Sequence, residues 1–324
     1  MASRAERVAT PMLAGPEPIA VADIGELNIL FSDAFTERYR RDGLVGVRVP
    51  PLNPAIWRYA IEGAGAGAML WRDAAGAIAA FNIAHASGAE GWMGPLAVRQ
   101  DCQGAGQGKA VVRAAIAHLR ATGCRTIGLE TMPRTVDNIG FYAGLGFVPG
   151  HLTVTLTIEA SAASSVHGVL SALHTMAREA AVAECAALAS RLAPGADYSR
   201  EIRLTHDLAL GDTLVVRRGD AIVGFALCHA APLVEGRSRD ELRVLKLVAA
   251  DLEAFRAMLP ALAALARRSA NNRVALRMQG EYRAAFADVV AAGGRVRWTD
   301  LRMTLDGYPQ VMPASGVLLS NWEI

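Results

Sequence analysis

The chain has 324 residues, 52% of them hydrophobic, and a formal net charge of +2. That length favours two domains, each with its own core. The Lys and Arg residues form no long run, which argues against nucleic acid as a partner, because phosphate neutralisation needs a clustered basic surface.

The N-terminal stretch, residues 1–17, reads as a loose tail with no apolar run suited to a signal peptide or a membrane span, so a cytoplasmic protein without a membrane partner is expected. Cys102, Cys124, Cys185 and Cys228 are scattered without a C-x-x-C pair. This predicts buried thiols in a reducing compartment, with neither disulfides nor a metal.

In chain order, Ile24, Leu27, Leu30, Phe31 and Phe35 recur at helical spacing within residues 21–41. Ala68–Arg72 and residues 77–86 predict two strands around a turn at residues 73–76, and residues 92–98 a buried strand. Residues 110–121 predict an amphipathic helix closed by Gly123, Thr126–Thr131 a strand, residues 137–143 a helix stopped by Gly144, and residues 152–158 a strand. Small residues follow, read as a linker over 159–168. A helix over residues 173–192 comes next. The earlier order then returns, with strands at 214–217, 221–230 and 241–248, a helix at Leu252–Arg268, a strand at 273–278, the segment 281–292, and Arg295–Leu305. The letters echo as well: AIAAFNIAHA from Ala77 matches AIVGFALCHA from Ala221, pairing His85 with His229, and LTVTL from Leu152 matches LRMTL from Leu301. Self-similarity of this kind predicts an internal duplication. The paired histidines are expected to reflect packing more than catalysis.

The segment with the most chemistry is LAVRQDCQGAGQGKAVV, from Leu96 to Val112. A strand runs into a loop with Gly104, Gly106 and Gly108, and a helix follows at once. Such glycines let successive N–H groups converge on one point, and a helix N-terminus adds partial positive charge, so the loop suits a pyrophosphate. It is not a Walker A loop: Gln103 stands at the first glycine and Ala110 at the hydroxyl residue. The dinucleotide pattern G-x-G-x-x-G fails on spacing.

What remains is Q-x-x-G-x-G from Gln103 to Gly108, and further on FYAGLGF from Phe141 to Phe147. In order and separation the two motifs resemble the GNAT (GCN5-related N-acetyltransferase) superfamily over residues 18–158. The resemblance implies a mixed α/β (α+β) protein of two tandem GNAT-like domains, each a mixed, mostly antiparallel sheet flanked by helices: an acetyl-CoA domain at 18–158 and a degenerate one at 169–324. It implies that Leu96, Ala97 and Val98 present backbone groups to the pantetheine arm. The pyrophosphate is expected on the backbone of Gln103, Gly104, Ala105, Gly106, Gln107, Gly108 and Lys109. Tyr142 corresponds to the family's general acid and Glu130, in the strand before it, to a general base. Many members carry an Asn seven residues before the tyrosine; here that position is Thr135, with Asn138 one helical turn before Tyr142, and either is expected to contact the cofactor. The second half has LKLVAADLEAF where the glycine loop would be echoed, so no second cradle is expected.

The implied reaction moves an acetyl group from acetyl-CoA to a primary amine, on a small molecule or a peptide, by direct attack and without a metal. A CoA-binding sensor without catalysis, or transfer from another acyl-CoA, is the alternative. The chain is expected to act as a monomer or homodimer. Trp57, Trp71, Trp92, Arg58 and the loop near Asp42 are candidate acceptor-pocket residues.

Overall fold

A computed structural model describes residues 13–162 and 168–323. The first half comprises β1 (Ala14–Pro18), α1 (Ile24–Arg41), α2 (Pro54–Ala64), β2 (Ala68–Arg72), β3 (Ile78–Ser87), β4 (Glu90–Val98), α3 (Gln107–Ala121), β5 (Thr126–Thr131), α4 (Val136–Ala143) and β6 (Phe147–Glu159). The second comprises α5 (Thr175–Leu192), α6 (Ser199–Asp207), β7 (Gly211–Arg218), β8 (Ala221–His229), β9 (Glu241–Ala249), α7 (Leu252–Arg268), β10 (Arg273–Gln279), α8 (Arg283–Ala291), β11 (Arg295–Leu305) and β12 (Val317–Ser320).

The strands join in one sheet, in the order β1-β2-β3-β4-β5-β11-β6-β10-β9-β8-β7, with β12 added on β9. Two runs repeat. From β2 to β5 and on to β11, the pairings are antiparallel, antiparallel, parallel, antiparallel. From β7 to β10 and on to β6 they are the same. The last strand of each run comes from the other half of the chain: β6 lies between β11 and β10, and β11 lies between β5 and β6. The expected division at 159–168 therefore separates the halves in chain order, while in space they interlock. Residues 163–167 of that linker lie outside the described residues, as do residues 1–12 of the expected tail. Residues 14–17 of that tail belong to an edge strand, antiparallel to β2.

Helices cover both faces of the sheet. The face under α3 and α4 packs Val111, Val112, Ala115, Ile116 and Leu119 against Met93, Ile127 and Leu129. Fully burying one Val, Leu or Ile contributes about 1.5–3 kcal/mol. The face under α1 and α2 buries Leu27, Phe31, Trp57 and Phe81. Ile56 and Tyr59 of α2 extend into the core beneath α5 and α6, tying the halves together. Trp57 and Trp71, expected in an acceptor pocket, are core residues at 0% and 5% exposure, and Arg58 is paired on the surface with Glu62. His85 stacks on Trp92, and His229 meets Tyr59 edge-on. Burial lowers the pKa of both imidazoles, His85 to about 3, which keeps them neutral packing groups.

Candidate functional site

β4 and β5 run parallel and paired only at Glu90↔Thr126, Gly91↔Ile127 and Trp92↔Gly128. Beyond Trp92 the strands separate. β4 continues on β3 alone, through a one-residue irregularity opposite Asn82 and Ala84. No described strand covers its other edge from Met93 to Val98, the stretch that contains Leu96, Ala97 and Val98. Pro95 falls inside this stretch and has no N–H to offer a neighbouring strand.

The open edge leads to the glycine loop. Gly104 and Gly106 have φ of 91° and 83°, the left-handed region that glycine enters without strain. A Cβ at either would meet nothing within 4 Å, so the loop faces open space. Gly106 is the N-cap of α3, and no side chain caps the helix there. Ala105 and Lys109 are exposed, and Gln107 and Gly108 half-buried. Gln103 anchors the loop by donating from Nε2 to the carbonyl of Val98 at 2.8 Å. Gly108 serves packing: a Cβ there would come within 3.3 Å of the Phe141 ring.

Phe141 meets Tyr142 edge-on, and Tyr142 meets Phe147 in the same way. This aromatic run fixes the start of α3 against α4. Burial raises the Tyr142 phenol above its usual value, so it stays protonated at neutral pH. The cradle and Tyr142 thus sit at adjoining ends of α3 and α4.

Thr135 is fully buried, and its hydroxyl donates to Asp42 at 2.7 Å. Asp42 is also paired with Arg38. The hydroxyl expected for the cofactor therefore fastens α4 to the end of α1. Asn138 is half-buried on α4, one turn before Tyr142.

Glu130 has a different part from the expected one. Its side chain is 0% exposed and lies between Arg302 at 2.8 Å and Arg277 at 2.7 Å, with the Thr153 hydroxyl donating at 2.5 Å. Burial alone would raise its pKa; the two guanidiniums outweigh it and hold the carboxyl at about 2. A carboxylate so strongly held is a poor proton acceptor, and the general-base role does not fit it. The partners arrive from β10 and β11 of the other half, which no local pattern around Glu130 announces.

The C-terminal segment was not foreseen in the sequence. Trp322 is 1% exposed and lies at the fork where β4 leaves β5. Its indole donates to Glu90 at 2.8 Å and lies 3.8 Å beneath the Arg302 guanidinium. Glu90 also accepts from Tyr198 at 2.9 Å and Ser320 at 2.8 Å. The next residue, Glu323, pairs with Arg277 at 2.8 Å and keeps 47% of its side chain exposed. The surrounding protein desolvates the carboxyl and raises its pKa although the side chain stays open to solvent; Arg277 opposes, and Asp300 and Glu130 push it further, to about 7. The only signal in the sequence was an apolar run, VLL, ahead of a tryptophan and an acid.

In the second half β9 and β10 separate in the same way after Arg243↔Ala275. There the edge of β9 is taken by β12, antiparallel from Val317↔Ala249 to Ser320↔Lys246. The helix after this fork, α7, starts with Asp251, whose carboxylate accepts from the Ala254 N–H, and carries Glu253 in its first turn. Acidic groups occupy the place where the first half has its glycine loop.

An open strand edge ending in a left-handed glycine loop at a helix N-terminus defines a GNAT-type fold. Residues 33–147 match the model of the acetyltransferase (GNAT) family. A provisionally assigned acetyltransferase from Pyrococcus horikoshii shares the fold at 14% identity and a TM-score of 0.67, over 99% of this chain and 98% of that one. So does a tandem GNAT protein of clavulanic acid biosynthesis, at 13% identity and 0.58, over 93% and 100%. Saccharomyces cerevisiae N-myristoyltransferase with bound myristoyl-CoA is similar at 10% and 0.64, over 95% and 81%. No curated protein sequence matches the chain. Among the described residues no helix is long and apolar enough to cross a membrane, and no group of His, Cys, Asp and Glu is arranged to hold a metal ion.

Proposed function

We propose that the protein is an N-acetyltransferase that takes acetyl-CoA in its first half and transfers the acetyl group to a primary amine of a small molecule or peptide. The observation that carries this reading is the uncovered edge of β4 from Met93 to Val98, running into the loop at Gln103–Lys109. The pantetheine arm would pair with Leu96, Ala97 and Val98, and the pyrophosphate would sit on the loop backbone and the α3 N-terminus. The amine nitrogen attacks the thioester carbonyl, the C–S bond breaks, and the departing thiolate takes the proton of Tyr142. No covalent enzyme intermediate is needed. With Glu130 engaged, the amine proton passes to Glu323, the half-exposed carboxylate next to Trp322 at the fork.

Two kinetic tests follow. Tyr142→Phe should lower kcat about 10²–10⁴-fold, the usual worth of a positioned proton donor, with little change in acetyl-CoA affinity. An undiminished kcat in an amine-library assay would remove Tyr142 from the chemistry. The activity should rise with pH as Glu323 loses its proton near pH 7, and Glu323→Gln should abolish that limb of the kcat/KM profile. An unchanged profile would assign the proton to another acceptor.

The engagement of Glu130 favours a second reading, a CoA-binding protein without catalysis. Turnover with any amine rejects it; tight acetyl-CoA binding with no turnover across the library supports it.

A further inference from the structure

The arm of a CoA molecule held at the α3 loop runs back along β4, from Val98 toward Met93. These six residues span about 17 Å at roughly 3.3 Å per residue. The acyl group therefore arrives last, at the closed end of the fork, where Trp92 and Gly128 form the final pair. That point is filled by the Trp322 indole. A Cβ on Gly128 would fall 2.2 Å from the Trp322 ring, so the absence of a side chain at 128 is what admits it. The Trp322 carbonyl lies 3.9 Å from the corresponding point on Gly94, in the strand segment that bulges away.

The indole is held on every side. Glu90 accepts its N–H, and the Arg302 guanidinium covers its face. Arg302 is itself fixed by Glu130 and donates to the Ser320 carbonyl at 2.7 Å. From behind, β12 anchors the segment in the second fork. The Asn321 N–H continues the ladder to the Leu245 carbonyl at 2.8 Å, and Lys246 donates to the Ser320 hydroxyl at 2.7 Å. A ring clamped in this way does not swing aside to admit a chain.

Resting on the acyltransferase reading above, we propose that Trp322 is the stop of the acyl channel and sets the specificity of the site: the protein accepts two- or three-carbon acyl groups and rejects medium and long ones. The second fork, having no pyrophosphate loop, serves as the mount for that stop.

The test is calorimetric titration of the full chain, and of Trp322→Ala and Trp322→Leu variants, with acetyl-, butyryl-, hexanoyl- and octanoyl-CoA. Binding needs no acceptor, so the unknown amine does not enter. The readout is the ratio of octanoyl-CoA to acetyl-CoA affinity, which a general loss of packing would not raise. The parent chain should bind octanoyl-CoA at least about tenfold more weakly than acetyl-CoA. Once the fork is open, each buried methylene should add roughly fourfold, so Trp322→Ala should raise the ratio by tenfold or more. Trp322→Leu preserves an apolar filling, serves if the alanine variant fails to fold, and should raise butyryl- and hexanoyl-CoA first. Octanoyl-CoA bound as tightly as acetyl-CoA by the parent chain, or the same ratio in folded variants and parent, would overturn the role of Trp322 alone. Failure of every acyl-CoA to bind the parent chain would instead overturn the acyltransferase reading beneath it.

Discussion

Gly106→Glu should reduce acetyl-CoA affinity by at least about 100-fold while leaving the chain folded. Two effects combine. The backbone at Gly106 has φ of 83°, which costs a residue with a Cβ about 1–2 kcal/mol. That strain is small against the stability of a chain with so extensive a buried core, and a Cβ at this position meets nothing within 4 Å. The larger effect is electrostatic. A carboxylate at the N-cap of α3 takes up the helix donors and puts a negative charge where the pyrophosphate would lie. Gly219→Glu is the matched control: φ is 61°, the space is equally open, and the turn lies between β7 and β8 in the other half. Calorimetry should give one acetyl-CoA site per chain for the parent and the control, and none for Gly106→Glu. Two sites in the parent would mean that the second fork binds the cofactor despite β12. Retained binding in Gly106→Glu would move the pyrophosphate away from the glycine loop.

Glu130→Ala should destabilise the protein by about 3–5 kcal/mol, the cost of removing one partner from a buried ion pair. The substitution takes the paired carboxylate from Arg302, 1% exposed, and one of three from Arg277, 10% exposed, which keeps Asp300 and Glu323. Denaturant unfolding of parent and variant measures the loss directly. The pH dependence has a defined sign. The folded pKa of Glu130, about 2, lies below the ordinary carboxylate value of roughly 4.3. The protein therefore has this stabilisation in full above the ordinary value and loses it as pH falls through about 4 toward 2. Glu130→Ala should flatten that part of the stability profile. A variant as stable as the parent would show the pairing to be neutral. A general base would behave differently, since its loss would act on kcat without lowering the unfolding free energy.

The regular elements were legible because their signals are local. Thr126–Thr131, Leu252–Arg268 and Arg295–Leu305 fall where alternation and helical spacing set them. The glycine loop was legible because positive φ at 104 and 106 demands a particular residue type. The AIAAFNIAHA and AIVGFALCHA echo corresponds to β3 and β8, the second strands of the two repeated runs. The misses are equally physical. α2 and α6 are short, and α2 opens on a proline that reads as a breaker unless its place at the first helical position is known. β1 holds two prolines and glycine in five residues, a composition that argues against a strand. β12 has four residues, too few for a period to show. The role of Glu130 depended on which strands flank β5. Side-chain pattern along β11 gives its faces but not its neighbours, so a carboxylate matched to two arginines 147 and 172 positions away read as a free acid.

The exchange of β6 and β11 has a consequence for how such a protein is made. As the chain leaves the ribosome, β5 is complete long before its partner β11 exists, and β6 emerges with neither of its own partners yet synthesised. The newborn first half must carry three unpaired strand borders, one on β5 and two on β6, while about half the chain is still being translated, a state in which sheets recruit other molecules. It follows that neither half is a transferable cassette. Gene fragments ending between them are expected to leave these borders open.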